Sequence, residues 1–445
     1  MAQVTRRQFL RTVGQGGMAV AGGGLLAHVG LGGLAPTAAE AQGGLAGQSI
    51  IHWSLLNPDG KSLREVALKE ILGKFKAQTG ITVTVQTFPW QELGTKLIAA
   101  VQAGNPPDSS RVNIYTLKMI LKADALLNLD PYLQKTFTDA QRKDFIVDFT
   151  PPVVVNGSKW SMQIEMTPKA LFVRKDWLAK AGLKAPRTWA ELVEVGKAVT
   201  GGGKWGYMVN GSKTQLNQVE TIFQPHIHGR GGQVLDPNGR GSFNDDAAVK
   251  SYQFLSDCVH KHKITPAQVI AMTYDEVTDA FKSGRVAMIQ EGSHRYSDIA
   301  KAIGAENLEI AKLPSDDPRV PSPTIVTGWG FGIPRGSKHP DAAWEYLKYY
   351  IGAEAQEINA RVAGSLPTRK SALERPFFQS KEAAYMRWWM DYAAERGEII
   401  INVPTFTQLN EVMVDALQQV LNSPSANIKQ VLDEAVKRYN QMAQM

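Results

Sequence analysis

Leu63, Val66, Ala67, Leu68, Ile71, Leu72 and Phe75 recur every three or four residues, the spacing of one helical face, and Gly80 follows as a stop. Before them Ile50-Ile51-His52-Trp53 reads as a short strand that runs into the turn Asn57-Pro58-Asp59-Gly60. After them Ile81, Val83 and Val85 alternate with threonines, the period of a half-buried strand. Leu93, Leu97, Ala100 and Val101 share the next helical face, which ends at Gly104-Asn105-Pro106-Pro107. A third strand then leads to Asn113. Strand and helix alternating in this way predict a doubly wound α/β unit.

A second unit begins after Asn156-Gly157 with the apolar strand Leu171-Phe172-Val173. Thr188 with Glu191, and Thr273 with Glu276, predict capping boxes that open helices. Gly284 turns the chain into the strand Val286-Ala287-Met288-Ile289. The proline-rich stretch Asp316 to Pro323 reads as a crossing between the two units. Pro340 to Tyr350 and Leu409 to Ala443 are expected to be helical.

The 445 residues, 43% of them hydrophobic, suffice for two ordinary cores. The formal charge is +7, and Arg6, Arg7, Arg11 and Glu40 place +2 of it in the first 41 residues. The remaining +5 is thinly spread and forms no basic stripe, which argues against nucleic-acid binding. Cys258 is the one cysteine, so an intramolecular disulfide and a thiolate metal cluster are excluded. No stretch after residue 41 is an uncharged apolar run of about 18 residues, so no membrane span is expected there.

Residues 1–41 follow the charged, apolar and small-residue plan of a cleaved export signal. Thr5-Arg6-Arg7-Gln8-Phe9-Leu10-Arg11 matches the twin-arginine motif, and nine glycines between Gly14 and Gly33 dilute the apolar stretch. Cleavage is expected after Ala41, with a soluble periplasmic product. No cysteine follows the apolar stretch to carry a lipid.

Five segments of the mature chain resemble the family 1 extracellular solute-binding proteins, the maltose-binding-like components of ABC importers. They are Phe75 to Val85; Trp90 with Lys96-Leu97, Ala103-Gly104 and Pro107-Asp108; Pro186-Arg187-Thr188-Trp189-Ala190-Glu191-Leu192; Ala280 to Met288 with Gly292-Ser293; and Ile333 to Pro340 with Ala343-Trp344 and Leu347. The resemblance implies two doubly wound α/β lobes with a ligand cleft between them, joined by hinge crossings near Glu165, Thr324 and Lys370. Residues 42–165 with 324–370 would form one lobe, and 166–323 with 371–445 the other. It also implies a small-molecule ligand, most simply a carbohydrate, a permease with its ATPase as partners, and no catalytic residue or cofactor. The twin-arginine translocase would act during export, and the mature chain is expected to be a monomer.

Sugars present hydroxyls that need directional partners and C–H faces that pack on aromatic rings. Candidate ligand contacts therefore come from polar and aromatic residues at strand ends. They are Trp53 and Asn57, Asn113 and Tyr115, Glu165 and Thr167, His294 and Arg295, Trp329, and Gln408 and Asn410. His294-Arg295 stands where the resembled family commonly places an aromatic contact, which opens an alternative: an anionic or phosphorylated ligand held by Arg295. A polyol or a non-sugar solute is a further alternative. Other chemistry finds no support. His226-x-His228 and His260-x-His262 lack a carboxylate or thiolate complement for a metal. Gly206 to Thr214 misses the phosphate-loop spacing, and no Gly-x-Ser-x-Gly elbow suggests a periplasmic hydrolase.

Overall fold

The computed structural model describes residues 44–146 and 154–444; the expected leader, residues 1–41, lies outside them. Among the described residues no helix is long and apolar enough to cross a membrane.

Strands are numbered along the chain: β1 Ser49–Ser54, β2 Thr82–Thr87, β3 Ser109–Asn113, β4 Val154–Val155, β5 Ser158–Lys159, β6 Met162–Gln163, β7 Lys169–Arg174, β8 Trp205–Met208, β9 Val286–Gly292, β10 Leu308–Ala311, β11 Thr324–Val326, β12 Trp329–Gly332 and β13 Gly397–Ile399. One sheet has the order β2-β1-β3-β12-β6 and the other β10-β7-β9-β8. In the first, β1 is parallel to β2 and β3, as doubly wound units require, while β12 is antiparallel to β3. In the second, β8 and β9 are parallel, while β7 is antiparallel to both β9 and β10. The reversed strands β7 and β12 each begin just after the chain has passed from one sheet to the other. Their direction is set by the side from which they enter.

The first long helix, Leu63–Thr79, shows why the local readings succeed. The Ser62 hydroxyl accepts from the Glu65 amide, and the Glu65 carboxylate accepts from the Ser62 amide at 3.0 Å. Gly80 ends the helix at φ +73°, a conformation that costs a residue with a Cβ. Between the caps Ala67, Leu68, Ile71 and Phe75 are fully covered, each large side chain worth roughly 1.5–3 kcal/mol of burial. Val66 instead lies 44% exposed, on the opposite face.

Three expectations change in the folded chain. The Thr188 hydroxyl accepts from the Glu191 amide, but the Glu191 carboxylate accepts from the Arg187 amide at 2.7 Å, so this cap is not reciprocal. The amide and carbonyl around Thr188 are instead tied to Ser315, through Trp189 N to Ser315 O and Ser315 N to Arg187 O. The C-terminal helix is two helices, Phe406–Asn422 and Ile428–Ala443, broken where Pro424 cannot donate to the ladder. Residues Asp316 to Pro323 fold back on the second sheet's side: Ser322 donates to Leu313 O, and Tyr392 Oη donates to Ser322 O. The passage to β12 comes later, at Thr327-Gly328.

Candidate functional site

Two strands of backbone pass side by side between the sheets. Ile164 N donates to Trp329 O and Thr167 N to Thr327 O, both at 2.9 Å. Gly328 lies between them at φ +154°, and a Cβ there would stand 2.2 Å from the Glu165 carbonyl oxygen. Only a residue without a side chain permits this approach.

Glu165, 4% exposed, anchors the first-sheet side of the seam. Arg64 donates to its Oε1 at 2.5 Å and Arg111 at 3.4 Å, and the Ser365 hydroxyl is 3.5 Å from Oε2. Burial by itself would raise this carboxyl's pKa; the two guanidiniums outweigh it and hold it below the ordinary value. Arg111 also donates to Tyr350 Oη at 3.1 Å and lies over the Phe331 ring.

The second-sheet side is built on an unusual turn. Val219–Phe223 is π-helical, a rare geometry that frequently marks functional positions. A polar lattice holds it. Asn410 accepts from Val219 N and donates to Gln215 O and Gln218 Oε1; Asn210 donates to Asn217 Oδ1; Thr221 donates to Asn210 Oδ1. The turn aims Glu220 at Lys169 Nζ, 3.3 Å away, with both side chains under 10% exposed. Burial raises the Glu220 pKa, with Lys169 and Thr327 pulling it down, and among the described residues its Oε2 has no hydrogen-bond partner. Glu291, next to this pair, accepts from Thr278 Oγ1 at 2.5 Å and is raised by burial to about 7. Arg295 is ion-paired with Asp275 and lies over the Tyr274 ring.

The two sides meet. The Tyr115 and Phe406 rings stack at 4.6 Å and 20°, and Thr407 Oγ1 lies 3.9 Å from Met119 Sδ. Beside this contact is a cavity of about 50 Å³. Trp90, Asn113, Tyr115 and Trp329 line it from the first-sheet side, and Leu216 and Thr407 from the other. That is far below the roughly 300 Å³ at which ligand pockets begin, so a solute of sugar size enters only if the sides part. Among the described residues, no group of three or more His, Cys, Asp or Glu side chains could hold a metal ion.

Of the residues singled out in the sequence, Asn113, Tyr115 and Trp329 line the cavity. Glu165 reaches it through Arg111, which is also in the lining. His294 and Arg295 are not in the lining, and Arg295 is ion-paired with Asp275. Thr167 is buried in the passage, and Gln408 is exposed beside Thr407. Trp53 and Asn57 are not in the lining. The Trp53 indole donates to Gln86 Oε1 at 2.7 Å, and the Asn57 side chain accepts through Oδ1 from Asp59 N in an exposed turn. Asn410 has its amide fully engaged in the π-turn lattice, so it shapes the site without facing it. Trp90, Leu216, Thr407 and Glu220 were not among the candidates. Trp90 carried a signal, an aromatic just ahead of a helix start; the other three are brought in only by the chain's return.

The model of the bacterial extracellular solute-binding protein family matches residues 53–357. A probable ABC transporter-binding protein of Deinococcus radiodurans is 24% identical over 373 residues, covering 78% of this chain and 84% of its own. The fold is similar to maltose-bound MalE3 of T. maritima, with a TM-score of 0.78 and 24% identity over 88% of this chain and 99% of that one. It is also similar to a solute-binding protein from Agrobacterium radiobacter K84 in complex with ribitol, with a TM-score of 0.72 and 22% identity over 89% and 99% of the two chains. Two mixed sheets, a seam of paired passages between them and a family match across most of the chain agree: this protein belongs to the bacterial extracellular solute-binding protein family.

Proposed function

We propose that the protein is the substrate-binding component of an ABC importer and closes its two lobes on a neutral polyhydroxylated solute, a sugar or a polyol, which it hands to a permease. The observation that carries this reading is the composition of the interlobe cavity. Trp90, Tyr115 and Trp329 offer ring faces, Asn113, Thr95 and Thr116 offer hydrogen bonds, and Arg111, the one charged residue among the described lining residues, is already matched by Glu165. The other seam cations are matched too, Lys169 by Glu220 and Arg295 by Asp275. An anionic solute at Arg111 or Lys169 would have to displace a buried carboxylate, and at Arg295 it would compete with the half-exposed Asp275, which disfavours the acidic or phosphorylated alternative. The relatives bound to maltose and ribitol support the same solute class.

The lobes proposed are residues 42–165 with 324–370 and 166–323 with 371–445. The pairing of β11 with β13 argues for drawing the second crossing at Thr327-Gly328. Export as a periplasmic monomer by the twin-arginine translocase completes the reading, on the strength of the Thr5 to Arg11 motif.

A thermal-shift panel of maltose, tagatose, ribitol and gluconate tests the solute class. A ligand present at a hundred times its Kd stabilises the native state by about 2.7 kcal/mol. A neutral member is expected to raise the melting temperature and gluconate is not; the reverse order would reject the neutral reading. Trp329→Ala should weaken binding of the active member about tenfold, the loss of one stacked ring face, measured by calorimetry. Arg295→Ala should leave that affinity within about twofold, because its charge is spent on Asp275.

A further inference from the structure

The sulfur of Met119 stands where the two lobes touch. Met119 belongs to the short first-lobe helix Leu117–Lys122 and lines the interlobe cavity. Its methyl group lodges beside Gly94, where a Cβ would come within 3.4 Å of it. Its Sδ accepts from the Thr407 hydroxyl at 3.9 Å, and Thr407 is the second residue of the second-lobe helix Phe406–Asn422. Thr407 lines the same cavity, so the bond spans the cavity's edge from lobe to lobe. A thioether is a weak acceptor, and the bond holds little as it stands.

Among the described residues Met119 is the one sulfur-bearing residue in this lining. Cys258 is buried, and burial pushes its thiol pKa up, which leaves it inert. Met162, Met166, Met208, Met288, Met386 and Met413 are buried. Met272, Met390 and Met442 are half-buried, as Met119 is, but they pack against the second lobe's core.

We propose that Met119 is a modification site: an oxidant of the peroxide class converts it to the sulfoxide, and the new oxygen latches the lobes together through Thr407. The proposal rests on the two-lobe clamp described above. A sulfur lone pair attacks one peroxide oxygen, an S–O bond forms and the O–O bond breaks. The departing hydroxide takes the proton of the transferred oxygen and leaves as water. The sulfur is oxidised by two electrons and the peroxide is reduced by two. The sulfoxide oxygen is a stronger acceptor than the thioether. It enters the gap between Sδ and the Thr407 hydroxyl, where the 3.9 Å separation leaves room for a shorter hydrogen bond. In the parted state water takes that oxygen instead. The latch is therefore worth one net hydrogen bond, about fivefold in the closing equilibrium. A latched clamp admits solute more slowly, because a molecule of sugar size enters only through the parted state. Methionine sulfoxide reductases reverse the change.

Peptide mass spectrometry of the mature chain after brief exposure to hydrogen peroxide locates the modification. Met119 should gain one oxygen well ahead of the buried Met162 and Met413; oxidation no faster than theirs would overturn the proposal. Small-angle scattering of the same samples without added solute reads the latch. The radius of gyration should fall on oxidation of the wild type. It should stay constant in Met119→Leu, which has no sulfur, and in Thr407→Val, which is oxidised at the same site but cannot donate. An unchanged or larger radius in the oxidised wild type, or an equal fall in either variant, would sink the latch. Stopped-flow mixing with maltose and ribitol is the second arm. Association with whichever solute binds should slow about fivefold on oxidation and recover after reductase treatment; an unchanged rate would count against the latch. If neither solute binds while the radius still falls through Met119 and Thr407, the solute reading fails and the latch stands.

Discussion

Replacing Glu165 by alanine should destabilise the protein by about 3–5 kcal/mol, the usual consequence of removing one member of a buried ion cluster. Arg64 and Arg111 both point at this carboxylate, and Arg111 keeps 1% side-chain exposure, so its charge would be stranded without compensation. Chemical denaturation measures the loss, and Glu165→Gln should lie between alanine and wild type because it retains hydrogen bonds to the guanidiniums. The same carboxyl predicts an acid limit. Its pKa is depressed in the folded state, so its contribution is complete above the unfolded value near 4.5 and is lost as pH falls through the folded value. Wild-type stability should therefore fall below about pH 4.5, and the Glu165→Gln variant should show a shallower decline. Identical acid profiles for the two proteins would remove Glu165 from this role.

Gly328→Ala is expected to be comparably severe, on the order of 3 kcal/mol, for a different reason. The conformation at φ +154° is strained for any residue with a Cβ, and the added carbon would meet the Glu165 carbonyl at 2.2 Å and its carbonyl carbon at 3.2 Å. Both are backbone atoms, so no rotamer change relieves the contact. The passages would have to separate, breaking the bonds Thr167 N to Thr327 O and Ile164 N to Trp329 O. Because Trp329 follows immediately, the variant should lose solute affinity as well as stability. A lowered melting temperature with unchanged affinity would show that the cavity does not depend on this approach. Gly182→Ala, also at positive φ but with nothing within 4 Å, provides the control, at about 1 kcal/mol.

Local elements were legible because their signals are local. Ser62 with Glu65 and Gly80 fix the ends of a helix whose apolar spacing also fixes its buried face, and both facts are contained in 19 consecutive residues. The strand ahead of Gly292 and the cap at Thr273 were readable for the same reason. Resemblance extended this to the two-lobed plan. The difficulty came where one residue type serves two ends. Asn57 and Asn113 look alike in sequence, yet one closes an exposed turn and the other faces the cavity. Asn410 sits beside residues that line the site, and its amide is consumed in holding a turn nearly two hundred positions earlier.

By itself the sequence determined the alternation of helix and strand, the exclusion of an intramolecular disulfide, and the family, since each depends on residues close together or on composition. Only the tertiary structure decided which charges cancel. Arg295 reads as a free cation along the chain, and it is Asp275 that neutralises it; Glu220 is unremarkable until β7 delivers Lys169 and a π-turn aims the carboxylate at it. Electrostatic energy depends on distance and burial, and neither is encoded by position along the chain.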